Sequence, residues 1–350
     1  MILGIESSCD ESAVALVRND GQVMGEWVHS QILKHADYGG VVPDLAVAEH
    51  LENFFPLLDF ARKEIPNFEL IEKIAVTCGP GLVGCLGIGI SIAKTLSLDT
   101  GIPVYGINHL RGHAFSPFMS LGCFNGLELS NFLPHVGLLV SGGNTLLFKI
   151  NRDLVIEVIA ATVDDAVGEA LDKGAKLLGI PYPGGADLEK YALNGDEQAF
   201  DFPKFNGSNK DLRFSFSGLK TSLLYRLKEM SQNEIESNFS DICASYQKAA
   251  LDQLTKMTKT IISSTYCKSF GLSGGVAKNQ RLRKELSELC EEMNLVYLPV
   301  DSRHTGDNAA MIAFSAAFDP NGSWENKNHG LTFQPSLQIH EIENKDHLAS

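Results

Sequence analysis

Ile2-Leu3-Gly4-Ile5-Glu6-Ser7-Ser8-Cys9-Asp10-Glu11-Ser12-Ala13-Val14-Ala15-Leu16-Val17 opens the chain. It reads as a strand (Ile2–Ile5), a polar loop (Glu6–Ser12) and a second strand (Ala13–Val17). Asn19-Asp20-Gly21 then turns into a third strand near Gln22–Val28, because Asp-Gly tolerates the backbone of a tight hairpin. Roughly 130 residues later the same grammar returns, which predicts an internal duplication. There His135–Val140 is apolar, Ser141-Gly142-Gly143-Asn144-Thr145 is a small polar loop, Leu146–Ile150 is apolar, and Asn151-Arg152-Asp153 turns into Leu154–Ile159.

A third glycine element follows the same logic: a strand at Lys268–Leu272, a Ser273-Gly274-Gly275 loop and a helix over Asn279–Met293. Glycines let a backbone approach a flat ligand, and a helix N-terminus after them favours an anion. Two hairpin-led lobes across a central cleft are the arrangement of actin, Hsp70 and sugar kinases. The predicted fold is therefore α/β, a two-lobed actin-like ATPase superfold (ASKHA) with duplicated hairpin-led sheets and helices around the cleft. The length of 350 residues also exceeds what one core usually serves. The predicted division is an N-terminal lobe 1–133, a C-terminal lobe 134–318 and an extended or disordered polar tail 319–350. Amphipathic helices are expected at Asp44–Glu64, where Pro56 could divide the element, and at Asp165–Leu178; a long loop is expected over Asn194–Phe216.

A net charge of −14 opposes nucleic acid on average, so any RNA contact must be local or shared with a partner protein. Seven cysteines with no CxxC pair argue against a disulfide framework and a cysteine zinc site, and imply a reducing compartment. The opening residues lack the basic region of a signal or transit peptide, so a soluble, cytoplasmic protein with no membrane partner is expected. The apolar run Ile74–Ala93 has the length of a span, but its many glycines fit a buried strand, a turn and a packed helix better.

Asn108-His109-Leu110-Arg111-Gly112-His113 places two imidazoles at i and i+4, on one face of a helix and within reach of one metal ion, although two unrelated buried histidines would share that spacing. Leu110 stands where a zinc protease of the HExxH type needs its base. Asp307, in Thr305-Gly306-Asp307-Asn308, is the best third ligand, giving a facial set suited to Fe(II) or Zn²⁺. On its own Asp307 would be a helix N-cap. Gly79-Pro80-Gly81-Leu82 and Tyr182-Pro183-Gly184-Gly185 could each cradle an anion or simply pack tightly. Asp164, Asp165, Glu169 and Asp172 could be a solvated face, or bind ribose or metal.

Ile5-Glu6-Ser7-Ser8-Cys9-Asp10-Glu11, Tyr38-Gly39-Gly40-Val41-Val42-Pro43, Gly79-Pro80-Gly81-Leu82, the NHLxGH element, Leu139-Val140-Ser141-Gly142-Gly143, Phe214-Ser215-Phe216-Ser217-Gly218-Leu219-Lys220-Thr221 and Gly274-Gly275-Val276 with Asn279 occur in that order. Together they resemble the bacterial TsaD family, once called the glycoprotease or O-sialoglycoprotein endopeptidase family, from residue 1 to about 318. The resemblance implies transfer of threonylcarbamoyl from threonylcarbamoyl-AMP to N6 of adenosine 37 in the tRNA anticodon loop, releasing AMP. It implies one divalent metal, Fe²⁺ before Zn²⁺, on His109, His113 and Asp307. Leu139, Val140, Ser141, Gly142 and Gly143 would line the adenylate phosphate, Asp172 and Glu189 would bind ribose, and Gly185 and Asn279 would contact the nucleoside. Asp10 and Glu11 are the candidates for proton handling.

Three positions depart from the family pattern: Arg111 for Glu, Asn144 for His, and Thr305-Gly306 for Cys-Thr. Arg111 adds charge that could attract a substrate carboxylate or an RNA phosphate. Lys204, Lys210, Arg213 and Lys220, interleaved with Phe205, Phe214 and Phe216, could meet an unpaired loop by phosphate contact and stacking, or form a solvated loop with its aromatics tucked in. The expected partners are a TsaB-like paralogue and a TsaE-like ATPase. The alternatives are an actin-fold ATP-dependent kinase, which needs no imidazole ligands, and a non-catalytic scaffold paralogue, which would be expected to lose them.

Overall fold

Every side chain of β1 (Ile2–Glu6) is buried, as are Ser12–Val17 of β2 (Glu11–Val17). Such near-continuous apolar runs belong to strands covered on both faces. The two pair antiparallel, Ile2 opposite Val17 and Glu6 opposite Ala13, so Glu6 and Glu11 belong to strands where a loop was expected. The turn at residues 19–21 closes with Arg18 N–H on the Gln22 carbonyl at 2.8 Å, and leads into β3 (Val23–Ser30). The computed structural model describes residues 1–64, 68–122, 128–203, 212–326 and 330–341.

There follow α1 (Ile32–Ala36), α2 (Pro43–Glu64), β4 (Lys73–Gly79), α3 (Val83–Thr100), β5 (Val104–Asn108) and α4 (His109–Phe115). Pro56 lies inside α2 without dividing it. Strands β4 and β5 extend the sheet in parallel, giving the order β5-β4-β1-β2-β3. The apolar run Ile74–Ala93 is thus split between a strand and a helix. By length and composition alone α3 could cross a membrane; Cys85, Leu86, Gly89, Ile90, Ile92 and Ala93 are buried on it.

The second half repeats the plan with β6 (His135–Val140), β7 (Thr145–Ile150), β8 (Ile156–Thr162), α5 (Val167–Leu177), α6 (Gly185–Ala192), β9 (Arg213–Phe214), α7 (Ser217–Glu229), α8 (Gln232–Ser237), α9 (Phe239–Ser264), β10 (Ser269–Ser273), α10 (Gln280–Glu292) and β11 (Val296–Pro299). Its order, β11-β10-β6-β7-β8-β9, repeats the run β5-β4-β1-β2-β3 strand for strand and adds β9 at one edge. The predicted loop over Asn194–Phe216 contains that short strand, and its residues 204–211 lie outside the described ones.

Two compact units result: Met1–Asn131 with Asn151–Ile156 and the chain from Val300 onward, and Phe132–Ile150 with Glu157–Pro299. A division at 133 and 318 does not describe them, because α11 (Ala309–Phe318) is apolar all round and lies against β1 and β2. Alternation along β1 explains the placement. Ile2 faces α11 with Ala13, Ala15 and Val17, while Leu3 and Ile5 face a second core with Val14, Leu16, Val76, Ile90 and Ala93. Nor is the described part of the tail structureless. β12 (Ser323–Glu325) pairs antiparallel with β5, and Leu331, Leu337 and Ile339 are buried. Isolated apolar residues in a polar tail carry no periodicity, so only the surface they meet reveals their role.

His135, at the start of β6, is buried with Nδ1 2.7 Å from Ser269 Oγ, and burial pushes its imidazole down to about 3. An unfolded histidine binds a proton near 6.5, so the unfolded chain gains protons first and stability falls as pH drops from 6.5 toward 3. Urea unfolding at pH 7.5 and pH 5 should show His135 alone costing about 2 kcal/mol at the lower pH. His135→Gln should flatten that part of the profile.

Candidate functional site

Strand β5 ends at Asn108, whose Oδ1 accepts from the amides of Leu110 (3.0 Å) and Arg111 (3.3 Å) and so caps α4. The helical spacing then stacks His109 over His113, edge to face, with ring centroids 4.8 Å apart. Asp307 stands before α11, and its Oδ1 meets His113 Nε2 at 3.0 Å and His109 Nε2 at 3.4 Å. The cap of α11 is Asn308, not Asp307: its Oδ1 accepts from Met311 N–H (2.8 Å), and its Nδ2 donates to the carbonyls of His304 (3.1 Å) and Gly306 (2.8 Å). Capping therefore falls to the neighbour, which fixes the loop and leaves the Asp307 carboxylate to the imidazoles.

Two ligands about 2.1 Å from one ion, at angles between 90° and tetrahedral, lie roughly 3.0–3.4 Å apart. Both carboxylate–imidazole separations fall in that window, and no two ligand atoms of the trio are more than 4.8 Å apart. The two imidazoles, up to 4.8 Å apart, would close by about 1.4 Å to bring the donor set onto one divalent cation.

Glu6 joins this site, a residue for which the sequence analysis assigned no role. Its Oε2 accepts from His109 Nδ1 (3.0 Å) and Thr77 Oγ (2.6 Å), and its Oε1 from the Ser8 amide (2.5 Å). Holding Nδ1 in this way turns Nε2 toward Asp307, the carboxylate–histidine arrangement common behind metal ligands. Burial works against the Glu6 charge, but His109 and Thr77 hold its carboxyl below the usual range. Burial likewise opposes charge on His109, yet Asp307 and Glu6 raise its pKa well above the ordinary value. Asp307 is partly exposed, and the two histidines keep it far below the usual range. The sequence signal was a lone carboxylate ending an apolar strand.

Arg111 is fully buried and faces inward onto Asp319, with Nη2 2.7 Å from Oδ1, so it is not offered to a substrate carboxylate or RNA phosphate. Asp10 lies between β1 and β2 and Glu11 begins β2; Gln31 N–H donates to the Asp10 carbonyl and Ser30 Oγ to Glu11 Oε1. Burial, with Asp307 and Asp10 nearby, pushes Glu11 up to about 10. The Gly79-Pro80-Gly81 loop is tight packing in the described structure. Gly81 N–H donates to the Pro335 carbonyl (3.2 Å) and Leu82 N–H to that of Ser8 (2.8 Å), and a Cβ on Gly79 would strike the Gln334 carbonyl.

In the second unit, Leu139 and Val140 are buried in β6, so only their backbone could serve a ligand, while Gly142 and Gly143 form an exposed turn. Gly274, with φ of 90°, passes so close to the Val140 carbonyl that no Cβ would fit. A 3-10 turn, Gly275–Lys278, precedes α10, and Asn279, where the helix was expected to start, is its N-cap. Asp172 Oδ1 accepts from Gly185 N–H (2.8 Å) and Glu189 Oε1 from Gln280 N–H (2.7 Å), and burial raises both carboxyls. Asp172, Gly185, Glu189 and the start of α10 are thereby linked. Asn279 donates to Gln247 Oε1 (3.0 Å) and caps α10 through Leu282 N–H (3.0 Å).

The rest of the acidic group disperses. Asp164 accepts from Ser215 and Ser217 hydroxyls and from the Phe216 and Ser217 amides, while Asp165 and Glu169 pair with Lys173. Phe214 and Phe216 are buried and stacked on each other at 6.2 Å, so they are not free to stack on RNA bases. Lys204, Phe205 and Lys210 lie outside the described residues.

In the metal-free protein, Glu6→Gln removes one of the two carboxylates that raise His109. NMR titration should find His109 losing its proton at lower pH than in the wild type; an unchanged midpoint would remove Glu6 from the site.

The first sheet and the second share their fold with the HypF protein of T. kodakarensis (TM-score 0.56, 16% identity, 91% of this chain and 47% of that one). The activator of 2-hydroxyisocaproyl-CoA dehydratase from Clostridium difficile is similar too (TM-score 0.50, 15% identity, 90% and 95%). At such identities they bear on the fold alone, which is the actin-like, two-sheet α/β class. The tRNA N6-adenosine threonylcarbamoyltransferase of Fervidobacterium nodosum is 42% identical over 347 residues, 98% of this chain and 99% of the relative. That of Thermosipho africanus is 42% identical over 319 residues, 90% and 93%. The model of the TsaD family, tRNA N6-adenosine threonylcarbamoyltransferase, matches residues 22–314, and the chain belongs to that family.

Proposed function

We propose that this chain transfers the threonylcarbamoyl group from threonylcarbamoyl-AMP to N6 of adenosine 37 in the tRNA anticodon loop, with a divalent cation held by His109, His113 and Asp307. The observation that carries the reading is the convergence of those three side chains behind a buried orienting carboxylate, Glu6. A kinase or a non-catalytic scaffold has no use for such a centre. In the reaction the N6 nitrogen bonds to the carbamoyl carbon, the bond from that carbon to the phosphate oxygen breaks, AMP leaves, and N6 gives up a proton. When bound, the cation supplies Lewis acidity for the carbonyl and an anchor for substrate oxygens, Fe²⁺ fitting a two-histidine, one-carboxylate set and Zn²⁺ also possible.

The remaining parts are the chain's own. Glu6 keeps the His109 ligand nitrogen directed at Asp307. Glu11, with its raised pKa, holds its proton at neutral pH and suits donation rather than acceptance. Asp10 in the same loop is then the candidate acceptor. In the second unit the exposed Gly142-Gly143 turn offers backbone amides to the adenylate phosphate, and Asp172 and Glu189 suit ribose hydroxyls. Because the chain carries −14, a TsaB-like paralogue and a TsaE-like ATPase are proposed to share the tRNA surface, in the cytoplasm.

Purified protein with such partners, threonylcarbamoyl-AMP and tRNA should yield threonylcarbamoyladenosine by nucleoside mass spectrometry. His109→Ala/Asp307→Ala should lose bound metal and drop the rate by at least 100-fold. Full modification by that variant would exclude the metal centre; none by the wild type would exclude the transfer itself.

A further inference from the structure

Arg111 stands two residues from each imidazole, roughly 200° around the helix from both, so it occupies the back of α4. It is fully buried, and its guanidinium reaches three separate stretches of chain. Nε and Nη2 take the two oxygens of Asp319, Nη2 also donates to the Leu154 carbonyl at 2.9 Å, and Nη1 donates to the Ile339 carbonyl at 3.3 Å. Asn108, the cap of the same helix, donates through Nδ2 to the Gln338 carbonyl at 2.9 Å. Segment 330–341 therefore holds α4 at two points. It is itself fixed by the buried side chains of Leu331, Leu337 and Ile339 and by Gln334 N–H on the Cys78 carbonyl at 2.6 Å.

With seven residues, α4 is too short to set its own direction; helices of that length are not stable alone. Its orientation comes from what grips it. Glu6 and Asp307 touch only the ligand face, and ligand sites work within about 0.5 Å of the right geometry. A planar five-donor fork can satisfy one carboxylate and two carbonyls together, which a lysine ammonium cannot.

We propose that Arg111 is a positioning residue for the imidazole pair. With Asp319 and the backbone of segment 330–341 it clamps the back of α4, and thereby sets how tightly His109, His113 and Asp307 hold a divalent cation. This rests on the metal reading of those three side chains given above.

The test uses the full chain titrated with Co²⁺, whose visible spectrum reports both occupancy and ligand geometry. Arg111→Lys and Asp319→Asn should bind Co²⁺ between 10- and 100-fold more weakly than the wild type, the range for residues that orient ligands, and with an altered spectrum. Phe54→Leu, in the core on the other side of the sheet, is the control for lost stability and should keep wild-type affinity and spectrum. Should Arg111→Lys fail to fold, Asn108→Ser, which preserves the cap and loses the tie to Gln338, takes its place. Wild-type affinity and spectrum in the clamp variants, with His109→Ala unable to bind, would overturn the clamp and leave the metal reading standing. Equal weakening in Phe54→Leu would overturn it as well. A wild type that binds no Co²⁺ would sink the metal reading, and the clamp with it.

Discussion

A carboxylate at the end of a fully buried strand can remain charged only beside compensating groups, and Glu6 is in that position. His109, Thr77 and the Ser8 amide supply the compensation, and each comes from a different place in the first unit. His109 then carries the charge problem onward to Asp307, and Asp307 to His113. Four ionisable groups from β1, α4 and the loop before α11, three of them buried and Asp307 partly exposed, are thus solved as one set. Removing Asp307 takes from His113 the carboxylate that faces it and leaves that buried imidazole uncompensated, which is costly. The packing of α11 across β1 and β2 has the further consequence of carrying Asp307 to the imidazoles.

The duplicated sheets carry different residue types at equivalent ends. In the first unit the strand ends and the short α4 present side chains: imidazoles and carboxylates. In the second, the equivalent hairpin presents backbone, with Gly142 and Gly143 exposed at the turn and Gly274 pressed against Val140. Side chains coordinate cations; amides of glycine turns suit anions. The division of chemistry follows from which residue types each hairpin carries.

Arg111 illustrates how position alone misleads. Beside two imidazoles its charge suggests attraction of an anionic substrate, but the helical turn that aligns His109 with His113 sends residue 111 to the far side. There the guanidinium is neutralised by Asp319, more than two hundred residues later in the chain. The same geometry draws segment 330–341 into the first unit.

Much was legible beforehand. The paired strand, loop, strand pattern at Ile2–Val17 and His135–Ile150 gave the two sheets, because alternation and turn chemistry are local. The i, i+4 spacing gave the imidazole pair for the same reason, and the motif order gave the family. Other facts depend on which surfaces meet. That Asn308 rather than Asp307 caps α11, that Gly79-Pro80-Gly81 is closed by residues 334 and 335, and that Phe214 and Phe216 are core were decided by contacts between distant segments. Glu6 is the clearest case: the sequence by itself determined only that a carboxylate follows an apolar strand, and the tertiary structure alone put it on that buried strand and decided which histidine would neutralise it, since a buried charge takes its meaning from the partner that folding brings within hydrogen-bond distance.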